Sequence, residues 1–160
     1  KLRNIDAAEM TFKKAIDITK NVFGDTHTHF SLLLNNLGLL YANSFRGNEA
    51  IEMFERALSV SRTNFGESHV SNINILNNMG ILNKNIGNYS KAEKYYRQAY
   101  EVSLKYFGEN HIKSVLPLHN IAGVSMEKNE YEKSLQYFRK SSEICKNFMQ
   151  TDENEEKKFM

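Results

Sequence analysis

Apolar residues recur along this chain at intervals of three and four positions. Ile51, Phe54 and Leu58 form one such series, and Tyr96 and Tyr100 belong to another. Because this spacing places side chains on one face of a helix, the chain is predicted to consist of amphipathic helices. Apolar and polar residues do not alternate as in half-buried strands, and the 8 Gly and 1 Pro leave few breaks. The pattern therefore predicts an all-α fold.

The helical pattern repeats at a fixed interval of 42 residues. Phe-Gly pairs begin at Phe23, Phe65 and Phe107, and a histidine and an asparagine keep the same spacing. The residues that recur with them are His27, His69 and His111, and Asn36, Asn78 and Asn120. A period of 20–50 residues is typical of stacked repeats, each of which buries its apolar face only against its neighbours. Since such arrays present a long surface, we expect a binding scaffold rather than an enzyme.

Each repeat is predicted to hold two antiparallel helices, A and B. Helix A runs from the histidine to about Asn43, Asn85 or Glu127, and helix B ends at the next Phe-Gly pair. Small residues recur in both helices and a large aromatic residue recurs in helix B, so the helix axes can approach to about 8 Å. The small residues are Gly38, Gly80 and Ala122 in helix A and Ala50, Ala92, Ser134, Ala57, Ala99 and Ser141 in helix B; the aromatic residues are Phe12, Phe54, Tyr96 and Phe138.

These positions resemble the consensus of the tetratricopeptide (TPR) repeat, which has a large apolar residue, Leu-Gly, Tyr, Ala and Phe in order. The first copy is Leu34, Leu37, Gly38, Tyr41, Ala50, Phe54 and Ala57; the second is Leu76, Met79, Gly80, Asn83, Ala92, Tyr96 and Ala99; the third, more degenerate copy is Leu118, Ile121, Ala122, Ser125, Ser134, Phe138 and Ser141. The resemblance implies an all-α, right-handed TPR superhelix, which is an α-solenoid of antiparallel helix pairs.

The long turn between repeats makes the resemblance more specific. The stretches 64–69 and 76–80 are similar to the TPR domain of kinesin light chains, in which a Leu-Gly-x-x-His-Pro turn precedes a Leu-Asn-Asn-Leu-Ala helix. The similarity covers about Ile5 to Met149. It departs in one detail, because Thr28, Val70 and Ile112 replace the proline that follows the histidine.

The repeat spacing divides the chain into an array over residues 1–149 and a tail. The array begins with an orphan helix B at 5–23, and three repeats follow at 24–65, 66–107 and 108–149. The polar segment 150–160 is predicted to be a C-terminal tail or an extension of the last helix. Because the first residue is Lys1 rather than Met, we expect a piece of a longer protein.

Composition excludes several function classes. The net charge of +2 is too small to predict a nucleic-acid surface, and no apolar run approaches the roughly 18 residues needed to span a bilayer. Cys145 is the only cysteine, so no disulfide or thiolate metal cluster can form within one chain. We expect a reducing compartment, the cytoplasm, and no cofactor, since no Gly-rich phosphate loop, Gly-x-Ser-x-Gly or His-Glu-x-x-His motif is present.

The recurring histidines are predicted to be structural. Each occupies its own inter-repeat turn, so neighbours lie about 10 Å apart, whereas ligands of a shared zinc lie within roughly 2.1 Å of the ion. We expect Gly24, Gly66 and Gly108 to end helix B in a left-handed conformation, and the histidine to satisfy backbone groups before the next helix begins. No metal or catalytic residue is therefore assigned.

The asparagines of helix A are the candidate binding residues. An asparagine side chain carries both donors and an acceptor, so a column of them can hold the backbone of an extended peptide. The resemblance implies such a ladder, since related arrays use one as a peptide clamp in the concave groove. The predicted groove residues are Asn36, Asn78 and Asn120 at one position, Asn35, Asn77 and His119 beside them, and Leu39, Ile81, Asn43, Lys84 and Asn85. Alternatively, the asparagines bond adjacent helices to each other.

The expected partner is a peptide or protein, without nucleic acid or membrane insertion. Lys84 is the only cation in the predicted groove, which argues against a clamp for a doubly charged C-terminus. The orphan helix B exposes an apolar stripe, through which the chain could form a homodimer. An oligomerisation or assembly scaffold, or a regulatory TPR module of a larger multidomain protein, is the alternative function.

Pro117 predicts a kink or late start in the third helix A.

Overall fold

The fold of the protein, taken from a computed structural model, is described for residues 2–25 and 28–156, so His27 lies outside the described residues. The described part contains seven α-helices, as the orphan helix B and the three predicted helix pairs require, together with one short 3₁₀ turn. The helices are α1 (Leu2–Phe23), α2 (Thr28–Asn43), α3 (Gly47–Phe65), α4 (Ser71–Asn85), α5 (Tyr89–Phe107), α6 (Val115–Glu127) and α7 (Tyr131–Glu156), and the 3₁₀ turn is Ile112–Ser114.

The helices stack as antiparallel pairs. Helices α2, α4 and α6 are the A helices, each packed on the B helix that follows it, and α1 is a B helix without a partner of its own. Cα atoms of adjacent A helices approach within 8 Å, whereas within the described ranges adjacent B helices do not come this close. The pairs therefore splay apart on the B side, and the A helices line the concave side.

The first two pairs are each held at close range by a glycine that faces an aromatic ring. Gly38 of α2 lies against Phe54, and Gly80 of α4 lies against Tyr96. A methyl group added to Gly38 would come within 2.7 Å of the Phe54 ring, and one on Gly80 would collide with Tyr96. Both rings are essentially inaccessible to solvent, so no space exists into which they could retreat.

The turns from helix B to the next helix A confirm the structural assignment of the histidines. His69 Nδ1 accepts a hydrogen bond from the Ser71 backbone N–H at 3.3 Å, and His111 Nδ1 accepts one from Lys113 N–H at 3.2 Å. Each ring also packs on the Phe of its Phe-Gly pair, and the Phe107 and His111 rings are stacked with centroids 4.1 Å apart. His69 and His111 therefore each satisfy a backbone N–H at the start of a helix and fill the turn before it.

Gly24, Gly66 and Gly108 all have positive φ, but Gly66 and Gly108 do not have the left-handed helical conformation that the sequence predicted. Gly66 has φ 89° and ψ 168°, and Gly108 has φ 86° and ψ −178°. This region is essentially confined to glycine. The extended ψ sends the chain away from helix B into the long turn, while the N–H of each glycine still bonds back four residues, Gly66 to the Arg62 carbonyl at 2.8 Å.

Pro117 delays the third helix A, as predicted. A 3₁₀ turn occupies Ile112–Ser114, and α6 begins at Val115, which places Pro117 in the first turn. The missing N–H of proline is tolerated there, because the first turn of a helix has no intrahelical partner for it.

The turns from helix A to helix B share one backbone conformation, although a different type of residue adopts it in each turn. Phe45 (φ 59°), Gly87 (φ 77°) and Asn129 (φ 61°) occupy equivalent positions after α2, α4 and α6. In the turn after α2, the Arg46 N–H donates to the Tyr41 carbonyl at 2.9 Å. This bond caps the C-terminus of α2, and it forms only when the residue before Arg46 has a left-handed conformation. Glycine and asparagine suit this conformation, but phenylalanine is strained in it. Phe45 is also 99% exposed, so packing does not compensate.

Replacing Phe45 by a residue found at the equivalent turns is predicted to stabilise the protein. Phe45→Asn or Phe45→Gly should raise the free energy of unfolding by about 1 kcal/mol, because the left-handed strain is relieved. Urea denaturation measures the change. Phe45→Ala is the matched control, since alanine removes the exposed ring without favouring positive φ. An equal gain from alanine would show that ring exposure, not backbone strain, is responsible.

Two glutamates on helix B tie neighbouring repeats together. Glu9 of α1 accepts hydrogen bonds from Arg46 and, at 3.0 Å, from the Tyr41 hydroxyl of the next repeat. Glu93, at the equivalent position of α5, pairs at 2.8 Å with Lys128 and Lys133 of the following repeat. Burial raises the pKa of Glu93, but hydrogen bonds from Lys128, Lys133 and Arg97 outweigh it and lower the pKa from 4.5 to about 2.

The lowered pKa makes stability depend on pH in acid. Glu93 is ionised in the folded state well below pH 4.5, whereas the unfolded chain takes up its proton near 4.5, so acid favours unfolding. We expect ionised Glu93 to contribute at most about 3 kcal/mol to the free energy of unfolding. This contribution is complete above about pH 5 and is lost as the pH falls from about 5 to 2.

The variant Glu93→Gln should flatten the loss of unfolding free energy in acid, as measured by urea denaturation across this pH range. Glu132→Gln, an exposed glutamate of α7, is the control and should retain the wild-type profile. A Glu93→Gln profile as steep as that of the wild type would contradict the role of this cluster.

Candidate functional site

The asparagine column lies on the A helices, which line the concave side. Asn36 of α2, Asn78 of α4 and Asn120 of α6 are each partly exposed. Since the three residues occupy equivalent positions of successive repeats, their side chains form a row that crosses the A helices from one repeat to the next.

Hydrogen bonds connect this row to the residues beside it. Asn78 Nδ2 donates to Asn35 Oδ1 at 2.9 Å, and Asn120 Nδ2 donates to Asn77 Oδ1 at 3.2 Å. Each bond joins one A helix to the next. An amide nitrogen has two N–H groups, so each donating asparagine keeps a second N–H and its own carbonyl oxygen. The sequence left two roles open for these asparagines, contact between helices and contact with a ligand. One asparagine side chain can therefore fill both roles at once.

The residue that precedes each asparagine of the row is buried in the first two repeats and exposed in the third. Asn35 and Asn77 are only 6% and 2% exposed, so they support the partly exposed row from beneath. Asn77 Nδ2 is buried and has no hydrogen-bond partner among the described residues. His119 is exposed, and its ring meets Phe138 edge to face with centroids 5.0 Å apart.

The remaining predicted groove residues also lie on the A helices α2 and α4. Ile81, Asn43 and Asn85 are exposed, whereas Leu39 and Lys84 are partly buried. Apolar side chains at further helix A positions are half exposed to solvent; these are Leu32 (52%), Leu116 (52%) and Met126 (50%). The charged clusters around Glu9 and Glu93 lie instead where the B helices meet the A-to-B turns of the next repeat, so the row itself has uncharged amides at its centre.

A small cavity opens beside the row between α2 and α4. Its volume is about 150 Å³, and its lining residues are Ser31, Leu32, Asn35, Ser71, Asn74 and Ile75. This cavity was not predicted from the sequence. The available signal was Ser31, which occupies the position that Ile73 and Val115 fill in the later repeats.

Side chains suited to metal chemistry do not converge in this fold. Across residues 2–25 and 28–156, no group of three or more His, Cys, Asp or Glu residues is placed to hold a metal ion. Cys145 is a free, partly buried thiol in α7. No described helix is both long and apolar enough to cross a membrane.

Comparison with solved structures identifies the fold. BtubC (BKLC) from P. vanneervenii superposes with a TM-score of 0.82 at 15% identity, over 91% of this chain and 58% of that one. A candidate kinesin light chain from Podosopora anserina with nearly identical TPR-like repeats gives a TM-score of 0.71 at 13% identity, over 90% of this chain and 68% of that one. A point variant of the same protein gives 0.74 at 13% identity, over 91% and 69%.

These similarities show a shared architecture at low identity. The chain spans little more than half the length of BtubC. No curated protein matches the sequence.

The repeat itself is matched in the sequence. The tetratricopeptide-repeat profile matches residues 29–105 and 74–147, which together cover all three helix pairs. The architecture is a right-handed TPR superhelix, and TPR arrays are generally scaffolds for protein interaction rather than catalysts. By sequence and by fold, the chain belongs to the tetratricopeptide-repeat family.

Proposed function

We propose that the chain binds an extended segment of a partner protein along its concave side, as an adaptor similar to kinesin light chains. The observation that carries the proposal is the row of partly exposed, uncharged amides at Asn36, Asn78 and Asn120. The site performs no chemistry of its own, and its partner is a peptide or protein. The lone Cys145 favours a reducing compartment, so the proposed location is the cytoplasm.

The row suits a peptide backbone in both chemistry and spacing. An amide side chain can donate to a peptide carbonyl and accept from a peptide N–H at the same time. Packed helices lie about 8–10 Å apart, and an extended peptide rises about 3.3 Å per residue. Successive asparagines would therefore meet the ligand at about every third residue, and side chains between these contacts would face Leu39, Ile81 and the other apolar groove residues.

The hydrogen bonds show at which asparagines a loss of ligand binding can be separated from a loss of contact between helices. Asn78 donates to the buried Asn35, so its removal affects both the array and the ligand. Asn36 has no described hydrogen bond of this kind, because no A helix precedes it in the described part of the chain. Asn36 is therefore the residue at which binding can be tested without loss of stability.

Substitutions of the row are predicted to separate these effects. Peptides selected from a random phage-displayed library with the whole chain as bait should bind Asn36→Ala about tenfold more weakly, with an unchanged unfolding free energy. Asn78→Ala should weaken binding similarly and also lower the unfolding free energy by about 1–3 kcal/mol, because Asn35 Oδ1 loses its donor. Fluorescence titration and urea denaturation measure the two quantities.

Asn48→Ala is the control for these measurements, since Asn48 is an exposed asparagine of helix α3, outside the row. It should leave both binding and stability unchanged. Selected peptides that bind Asn36→Ala and Asn78→Ala as tightly as the wild type would exclude the row as the binding site. The alternatives are an assembly scaffold and a regulatory TPR module of a larger multidomain protein.

Self-association is the alternative that a specific observation favours. The α1 residues Met10, Ile18 and Val22 are 59%, 61% and 64% exposed, and Phe12 is only partly buried, whereas its equivalent Phe54 is 1% exposed. We propose that a second copy covers this apolar face.

Sedimentation of the wild type should then show a species heavier than the 18.5 kDa chain. Ile18→Glu should shift it to the monomer, because a charge buried at the interface is costly. Lys20→Glu, an exposed position on a different face of the same helix, should not. A wild type that stays monomeric at high concentration would exclude the dimer.

A further inference from the structure

The cavity between α2 and α4 exists because two residues are smaller than their equivalents. Ser31 stands where Ile73 stands in the next repeat, and Ser71 stands where Lys113 stands. Ser31 is 2% exposed and Ile75 is 3% exposed, so the inner wall of the cavity is fixed by packed helices. The space of about 150 Å³ is therefore a feature of the first interface between A helices, set by residue size.

The lining determines which group fits. No lining residue carries a formal charge, so a charged side chain would lose its hydration without gaining a partner. A cavity of about 150 Å³ admits a group as large as a benzene ring. Leu32, which is half exposed, borders the opening, and Ile75 offers an apolar surface within. An uncharged apolar side chain up to about the size of leucine, methionine or phenylalanine meets these conditions.

The cavity is physically connected to the asparagine row. Asn35 lines the cavity and also accepts the hydrogen bond from Asn78 at 2.9 Å. Asn78 lies one helical turn after Asn74 and Ile75, which line the cavity, so a peptide backbone held at Asn78 would lie close to it.

We propose that this cavity is a subsite that takes one uncharged apolar side chain of an extended peptide, and so selects peptides with leucine, methionine or phenylalanine at that place. The inference rests on the proposed binding along the concave side. The proposed subsite makes Ser31 a determinant of specificity. The row of amides alone would contact only the backbone of the peptide and would not distinguish its side chains.

The test uses a blocked amino acid in place of the unidentified peptide. N-acetyl-leucine N-methylamide is titrated into the whole chain, and methyl NMR signals of Leu32 and Ile75 are followed. We expect saturable shifts with a dissociation constant in the millimolar range, as for a single side chain. N-acetyl-glycine N-methylamide and N-acetyl-aspartate N-methylamide should leave both signals unchanged. Equal shifts with the glycine compound would overturn the proposal.

Filling the cavity tests its location. Ser31→Val introduces the residue of the third repeat and should weaken binding of the leucine compound at least tenfold. Ser71→Lys introduces the equivalent residue of that repeat and tests the opposite wall, in case Ser31→Val perturbs folding. Asn48→Ala is the control. Wild-type affinity in folded Ser31→Val and Ser71→Lys would overturn the subsite. The Asn36→Ala titration with selected peptides reports separately on the groove, so the two proposals can fail independently.

Discussion

The close contact between a glycine of helix A and an aromatic ring of helix B is the constraint on which the rest of the array depends. At Gly38 and Gly80 even a methyl group would not fit against the opposing ring. The third repeat has Ala122 in place of glycine, and its ring, Phe138, is only partly buried, whereas Phe54 and Tyr96 are fully buried. The distance between the two helices of a repeat is thus set by the volume of one side chain.

Successive A helices are also held close together. Their Cα atoms approach within 8 Å, and Asn78 and Asn120 each donate to an asparagine of the preceding repeat. The hydrogen bonds that join successive A helices are donated by residues that are themselves partly exposed on the concave side. Stability and the proposed binding function are therefore coupled at Asn78 and Asn120, while Asn36 is free of that coupling.

The two charged clusters lie away from the row, and Lys84 is a cation on the same helix as Asn78. Glu9 and Glu93 gather their cations where B helices meet the turns of the next repeat. Ion pairs at these positions tie repeats together without placing a formal charge beside the amides. The row therefore favours a ligand that it contacts through its backbone. Discrimination between ligands requires a feature that differs between repeats, and the cavity at Ser31 is such a feature.

The sequence by itself determined the repeat, the number and type of helices, the pairing of small with aromatic residues and the capping by His69 and His111. These follow from local periodicity and from residue size, which a single chain displays directly. Only the tertiary structure decided that Asn35 and Asn77 are buried beneath the row, that Phe45 occupies the turn position held by Gly87 and Asn129, and that a cavity opens beside Ser31. Burial and free volume depend on how neighbouring repeats approach one another, because they arise from contacts between residues about 40 positions apart. The strain at Phe45 arises within one repeat, from the bond between the Arg46 N–H and the Tyr41 carbonyl, and the backbone conformation of that turn had to be seen before it could be recognised.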